Sequence, residues 1–116
     1  MSTHCQPANL QDVVRDERDT LGEEKIALLA KALAHPARVR ILRILLQMDK
    51  RGECLNSDLV GELGLAQSTV SEHLRILKQA EFILSEPKPP KVCYRVNTVA
   101  LAQFGDLFHH LFSPND

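Results

Sequence analysis

The sequence predicts a mainly α-helical domain with one small β-hairpin. Three observations carry this. Apolar residues recur at helical spacing in three long stretches, around residues 26–33, 39–46 and 101–111. Residues 82–96 change to short extended runs either side of a proline-rich loop. Between these, residues 55–83 read as two short helices joined by a tight turn, and the rest of the chain is organised around that stretch.

Taken in order, residues 1–8 are polar and contain a proline, and Leu10, Val13 and Val14 suit a short helix over 9–19. Residues 1–20 are therefore read as a flexible acidic N-terminal arm and 21–116 as the folded domain. Thr20 or Gly22 precedes a helix running to about His35, with Ile26, Leu29, Ala30 and Leu33 as its apolar face. Pro36 stands where a first helical turn tolerates it. Ala37 to Gln47 is amphipathic, with Val39, Ile41, Leu42, Leu45 and Leu46 inward and Arg38, Arg40 and Arg43 outward. Asp49 to Gly52 is a turn, and Glu53 to Leu55 a short strand. Phe82 to Ser85 reads as a strand, Glu86 to Pro90 as a stiff loop, and Lys91 to Val96 as the returning strand. There Val92, Tyr94 and Val96 alternate with Cys93 and Arg95. Asn97 or Thr98 caps a last helix to about Phe112, with Leu101, Phe104, Leu107, Phe108 and Leu111 as a wide apolar face.

In the central stretch, Asn56 or Ser57 caps the first helix, and Asp58 suits the positive end of its dipole. Leu59, Val60 and Leu63 form its apolar side, and Gly64 stands where a helix ends in a left-handed residue. The second helix begins near Gln67 or Ser68. Val70, Leu74 and Leu77 make one buried stripe. Ser68, Thr69, Ser71, Glu72 and Arg75 face away from it: short hydrogen-bonding groups, one acid and one long cation. A helix entering a DNA major groove needs side chains small enough for close approach and able to donate and accept at base edges. An ordinary polar helix face is the plainer alternative.

The motifs Lys31-Ala-Leu-Ala-His-Pro-Ala-Arg-Val-Arg-Ile-Leu42, Ser57-Asp-Leu-Val-Gly-Glu-Leu63 and Leu65-Ala-Gln-Ser-Thr-Val-Ser-Glu-His-Leu-Arg-Ile-Leu-Lys78, with the strand ending Tyr94-Arg95-Val96, resemble the ArsR/SmtB family of bacterial repressors. The resemblance covers about residues 21–112. It implies a winged helix-turn-helix fold, a homodimer paired through its first and last helices, and a double-stranded operator DNA of inverted-repeat form. It places Gln67, Ser68, Thr69, Ser71 and Glu72 at bases, His73 and Arg75 at bases or backbone, and Lys88 and Lys91 of the wing at phosphates or the minor groove. His73 lies beside the apolar stripe, so packing is its alternative role.

Composition agrees in part. At 116 residues the chain is one domain with a modest core, to which a partner chain could add. The net charge is −1, but residues 1–24 hold six acids and two bases, which leaves +3 on the remainder. The apolar run Ile41 to Leu46 is interrupted by Arg43, and the N-terminus lacks an apolar signal region, so neither a membrane span nor secretion is expected and a cytoplasmic protein is. No strained nucleophile elbow, oxyanion loop or glycine-rich phosphate cradle accompanies Ser68, Ser71 and His73, so no enzyme is expected.

Three cysteines, Cys5, Cys54 and Cys93, fit no disulfide framework and no zinc knuckle. The resemblance implies an effector site, yet the Cys-x-Cys pair of arsenite- and cadmium-sensing relatives is absent. So is the early Asp-x-His of zinc sensors, although Asp106, His109 and His110 share a face of the last helix. Cys54 falls on the first short strand and Cys93 on the returning strand. If those strands pair, the thiols lie close enough to share arsenite, As(III), or a soft metal ion, with Cys5 joining from the arm. The alternatives are a thiol-redox pair, two small packing residues, or a protein-interaction module without DNA activity.

Overall fold

The computed structural model describes residues 5–7, 9, 17–56 and 63–113. The described elements run α1 (Glu17–Ala32), α2 (Pro36–Lys50), β1 (Leu55–Asn56), α3 (Gln67–Gln79), β2 (Ile83–Lys88), β3 (Lys91–Val96) and α4 (Thr98–Phe112). The expected helix at 9–19 falls largely outside the described residues, as does the helix expected over 57–62. Helix α1 begins at Glu17, four residues inside the segment assigned to an arm, and ends at Ala32 rather than His35.

His35 ends that run because it serves the next helix. Its backbone is extended and its side chain accepts from the Ala37 N–H at 3.0 Å. Pro36 occupies the first turn of α2, where its missing N–H is not needed. Ile41, Leu42 and Leu45 are buried from α2. Val39, expected inward, is 42% exposed. Gly64 adopts φ +75°, the left-handed turn expected of it, and Leu63 before it is buried.

Helix α3 is seated by Val70, Leu74 and Leu77, with exposures of 0%, 4% and 0%. Its C-terminus is closed by a Schellman pair. The Phe82 N–H donates to Leu77 O at 3.0 Å and the Glu81 N–H to Lys78 O at 2.9 Å. Glu81 therefore takes φ +65°, a left-handed position where glycine is usual. The apolar contact that accompanies this motif joins Leu77 and Phe82, both wholly buried.

The three strands form an antiparallel sheet in the order β1-β3-β2, with Leu55 opposite Tyr94, Ile83 opposite Val96 and Lys88 opposite Lys91. The hairpin is longer than its sequence suggests. Strand β2 runs through Pro87 to Lys88, so the proline-rich segment is mostly strand and only Pro89 and Pro90 turn. An outer strand accepts Pro87 because one side of it needs no donor. Nor does β3 alternate strictly, since Cys93 and Val96 are both buried.

Asn97 caps α4, accepting from the Ala100 N–H, and its amide donates to Glu81 O at 2.9 Å. Helix α4 lies on α1 at Gly22, where an added Cβ would meet Leu107 and Leu111 at 3.4 Å. Leu29, Leu33, Leu101 and Phe104 pack on the core. Leu21, Phe108 and Phe112 stay outside, with 60%, 52% and 64% of their surface exposed. No helix among the described residues is long and apolar enough to cross a membrane.

In urea unfolding, Leu77→Ala should cost about 2–5 kcal/mol, because it empties a fully buried site. Glu81→Gly should raise stability by about 1 kcal/mol, because it relieves a left-handed residue bearing a Cβ.

Candidate nucleic-acid interface and the adjoining thiol pair

Burying one stripe of α3 turns its opposite face outward. Gln67, Ser68, Thr69, Ser71, Glu72 and Arg75 are all exposed there. Arg75 is held in place by neighbours on its own helix. Its Nε donates to Glu72 Oε2 at 3.0 Å and its Nη1 to Gln79 Oε1 at 3.1 Å. The hydrogen bond from Arg75 holds the Glu72 carboxyl below its ordinary pKa, so it is an acceptor at neutral pH.

Between α3 and the hairpin lies a cleft of about 370 Å³, walled by Ser71, Arg75 and Lys78 on one side and Ser85, Pro87 and Tyr94 on the other. Hydroxyls and cations predominate among its polar groups. Lys78, Ser85 and Tyr94 were not among the DNA contacts expected from sequence. Ser71, Arg75 and Lys78 fall at i, i+4 and i+7, a signal that could have found Lys78. Lys88 and Lys91 face each other across the exposed hairpin end.

Of the two roles open to His73, packing and DNA contact, its position favours packing. It is 6% exposed and belongs to the inner face of α3, so it is not placed to touch DNA. Spacing explains this, since His73 and Leu77 lie one turn apart on the same side. Its Nδ1 lies 3.2 Å from Arg38 Nη1, its ring centroid is 4.4 Å from that of His35, and its Nε2 has no partner. Arg38 Nε in turn donates to Ala32 O at 2.7 Å. One guanidinium thus clasps the end of α1 to the recognition helix. Desolvation, then the nearby His35 and Arg38, push the His73 pKa below its ordinary value.

Beneath the wing, β1–β3 pairing sets Asn56 opposite Cys93 and so brings Cys54 alongside. The two sulfurs are in bonding contact as a disulfide, with Cα atoms 5.7 Å apart, inside the usual range for such a bridge. Cys93 is buried and Cys54 partly so. The bridge therefore ties β3 to the chain entering the helix-turn-helix. Next to it, Arg95 Nε lies 3.4 Å from Glu86 and its Nη1 reaches Glu53 O at 3.5 Å. Cys5 is an exposed free thiol. Among the described residues, no three His, Cys, Asp or Glu side chains gather as a metal site. His110 pairs instead with Asp19 of α1, at 3.3 Å.

Comparison with known proteins decides the family. Residues 35–85 match the model for the bacterial regulatory protein, arsR family. The transcriptional repressor SdpR of Bacillus subtilis is 35% identical over 74% of its own length and 61% of this chain. This chain belongs to the ArsR family. An uncharacterized HTH-type transcriptional regulator of Mycobacterium tuberculosis is also 35% identical over 63% of this chain, and the chain spans only 61% of that relative's length. Among solved structures, reduced HlyU from Vibrio cholerae aligns over 84% of this chain and 99% of its own, with TM-score 0.61 and 26% identity. A homodimeric winged helix-turn-helix DNA-binding domain from Mycobacterium bovis, 19% identical, shares the fold with TM-score 0.62 over 89% and 93% of the two chains. The ArsR-family chain thus shares the winged-helix fold of these proteins.

Because folding holds His73 neutral, its contribution to stability is present above the ordinary histidine pKa near 6.5 and is lost as pH falls through and below it. The melting temperature should drop between pH 7.5 and 5.5. In His73→Gln, thermal melts over the same range should show a smaller drop.

Proposed function

We propose that this chain is a homodimeric repressor that binds an inverted-repeat operator and releases it when the Cys54–Cys93 pair is oxidised. The observation that carries the switch is the placement of those two cysteines under the wing, with Cα atoms 5.7 Å apart. The exposed polar face of α3 supports the DNA contact, with Gln67, Ser68, Thr69, Ser71 and Glu72 at bases, Arg75 at bases or backbone, and Lys88 and Lys91 at phosphates. To these the cleft adds Lys78, as a further phosphate contact. Leu21, Phe108 and Phe112, exposed on packed α1 and α4, support a dimer interface that spaces two recognition helices about one DNA turn apart.

In the reduced state the hairpin is tied to β1 by backbone pairing alone. Oxidation removes two electrons and two protons from the thiols, accepted by a peroxide or a small disulfide, and joins the sulfurs. The bridge fixes β3, which carries Lys91 and Arg95, in a position that mismatches the phosphates. A ligand or bond acts only through its different free energy in the two states, and here that difference is the position of the wing. Arsenite capture by the same two thiols is the second reading, supported by their proximity.

Ser71→Ala and Arg75→Ala should each weaken specific operator binding by about 1–3 kcal/mol with the fold intact. Lys78→Ala should weaken it evenly across sequences and flatten its salt dependence. Fluorescence anisotropy on the chain's own promoter region reads both effects. Parent affinity in both α3 variants would remove α3 from the interface.

With the same assay, diamide should weaken operator binding of the parent by about tenfold or more, and dithiothreitol should restore it. Cys54→Ser and Cys93→Ser should bind and stay insensitive, whereas Cys5→Ser should respond like the parent. If arsenite releases the reduced parent and Cys5→Ser blunts that response while diamide has no effect, the arsenite reading takes its place.

A further inference from the structure

A second cavity, of about 490 Å³, opens between α1, the start of α2 and the end of α3, away from the thiols, and its rim includes Gln79, which accepts from Arg75. Its size suits a small organic molecule. Its floor is apolar, built from Leu29, Ala32, Ile76 and Ala80. Its polar wall is strongly one-sided: Lys25, Lys31 and Arg38 stand there against a single acid, Glu81. An apolar floor under three cations favours an anionic head on a hydrocarbon or aromatic body.

Arg38 gives the cavity a connection to α3. The same guanidinium that lines it donates to Ala32 O at 2.7 Å and contacts His73 Nδ1 at 3.2 Å. Both partners are neutral, because the His73 ring is buried and the Ala32 group is a carbonyl. A carboxylate is a stronger partner for arginine than either, since it accepts two parallel charge-assisted hydrogen bonds.

We propose that this cavity binds an amphipathic organic anion, and that the bound anion draws Arg38 off His73 and lowers operator affinity. The effect on DNA rests on the operator-binding reading above; the binding itself does not. Loss of the clasp leaves a nearly enclosed His73 with one contact fewer and loosens α3 against α1. The ligand is thus an effector acting at a different place from the thiol pair, and the coupling is reciprocal: DNA must weaken ligand binding by the factor that the ligand weakens DNA binding.

Octanoate is a suitable probe, with octanol and octylamine as neutral and cationic analogues of the same chain length. Calorimetry on the reduced full chain should give one octanoate per protomer, bound at least tenfold more tightly than either analogue. Lys25→Gln/Lys31→Gln, which alters only exposed side chains, should lose octanoate affinity by about tenfold and keep parental operator affinity. Saturating octanoate should weaken operator binding of the parent about tenfold, and saturating operator should weaken octanoate binding equally. In Arg38→Lys, which lacks the planar fork, octanoate should no longer affect operator affinity. Octanol binding as well as octanoate, undiminished binding in the double lysine variant, or operator affinity unmoved by saturating octanoate would each overturn the proposal. A chain that binds octanoate with the stated selectivity but binds no DNA contradicts the operator reading and the regulatory half, and leaves the ligand site standing.

Discussion

The seating of α3 is the constraint on which the other features depend. Val70, Leu74 and Leu77 are removed from water on one side of a thirteen-residue helix. Each such burial is worth about 1.5–3 kcal/mol. That is large beside what an exposed ion pair such as Glu72–Arg75 contributes, because solvent screens it. Packing therefore chooses which face of the helix is presented, and the surface charges only arrange what is already outward. The Schellman closure at Glu81 and Phe82 then sends the chain directly into β2, so the hairpin is built from the end of the recognition helix. The cleft between them follows from that short connection.

Two polar devices sit around this apolar seat. Arg38 bridges the end of α1 and His73 on the inner side of α3. The Cys54–Cys93 pair joins the residue before β1 to β3 beneath the wing. They touch different parts of the DNA-reading unit, the helix in one case and the hairpin in the other. In the proposals above each device alters one support of the interface and leaves the hydrophobic seat unchanged.

Much of this was legible in the sequence where one physical requirement dominates. Val70, Leu74 and Leu77 announce the stripe, Gly64 the left-handed turn, and Asn97 the start of α4. The nearness of Cys54 and Cys93 followed from pairing two short strands, although the strand expected at Glu53 to Leu55 is Leu55–Asn56, so Cys54 precedes it and Asn56 stands opposite Cys93. Other features were hidden because tertiary context overrides local chemistry. Glu81 occupies a left-handed position that its residue type does not advertise. Pro87 suggested a loop, yet an outer strand tolerates it. His73 read as either packing or a phosphate contact because histidine suits both environments, and its partner Arg38 lies on another helix, 35 positions away. Val39 kept helical spacing with the core yet remained partly outside it.

The central claim is that packing presents one face of α3, flanked by the hairpin, to DNA. Amide chemical-shift mapping of the ¹⁵N-labelled, reduced chain during titration with its operator duplex tests it most directly. The account predicts the largest changes over Gln67 to Arg75 and over Lys88 to Val92, with Arg40 and Arg43 of α2 little affected. Changes centred on Arg40 and Arg43, with residues 67–75 unmoved, would contradict it.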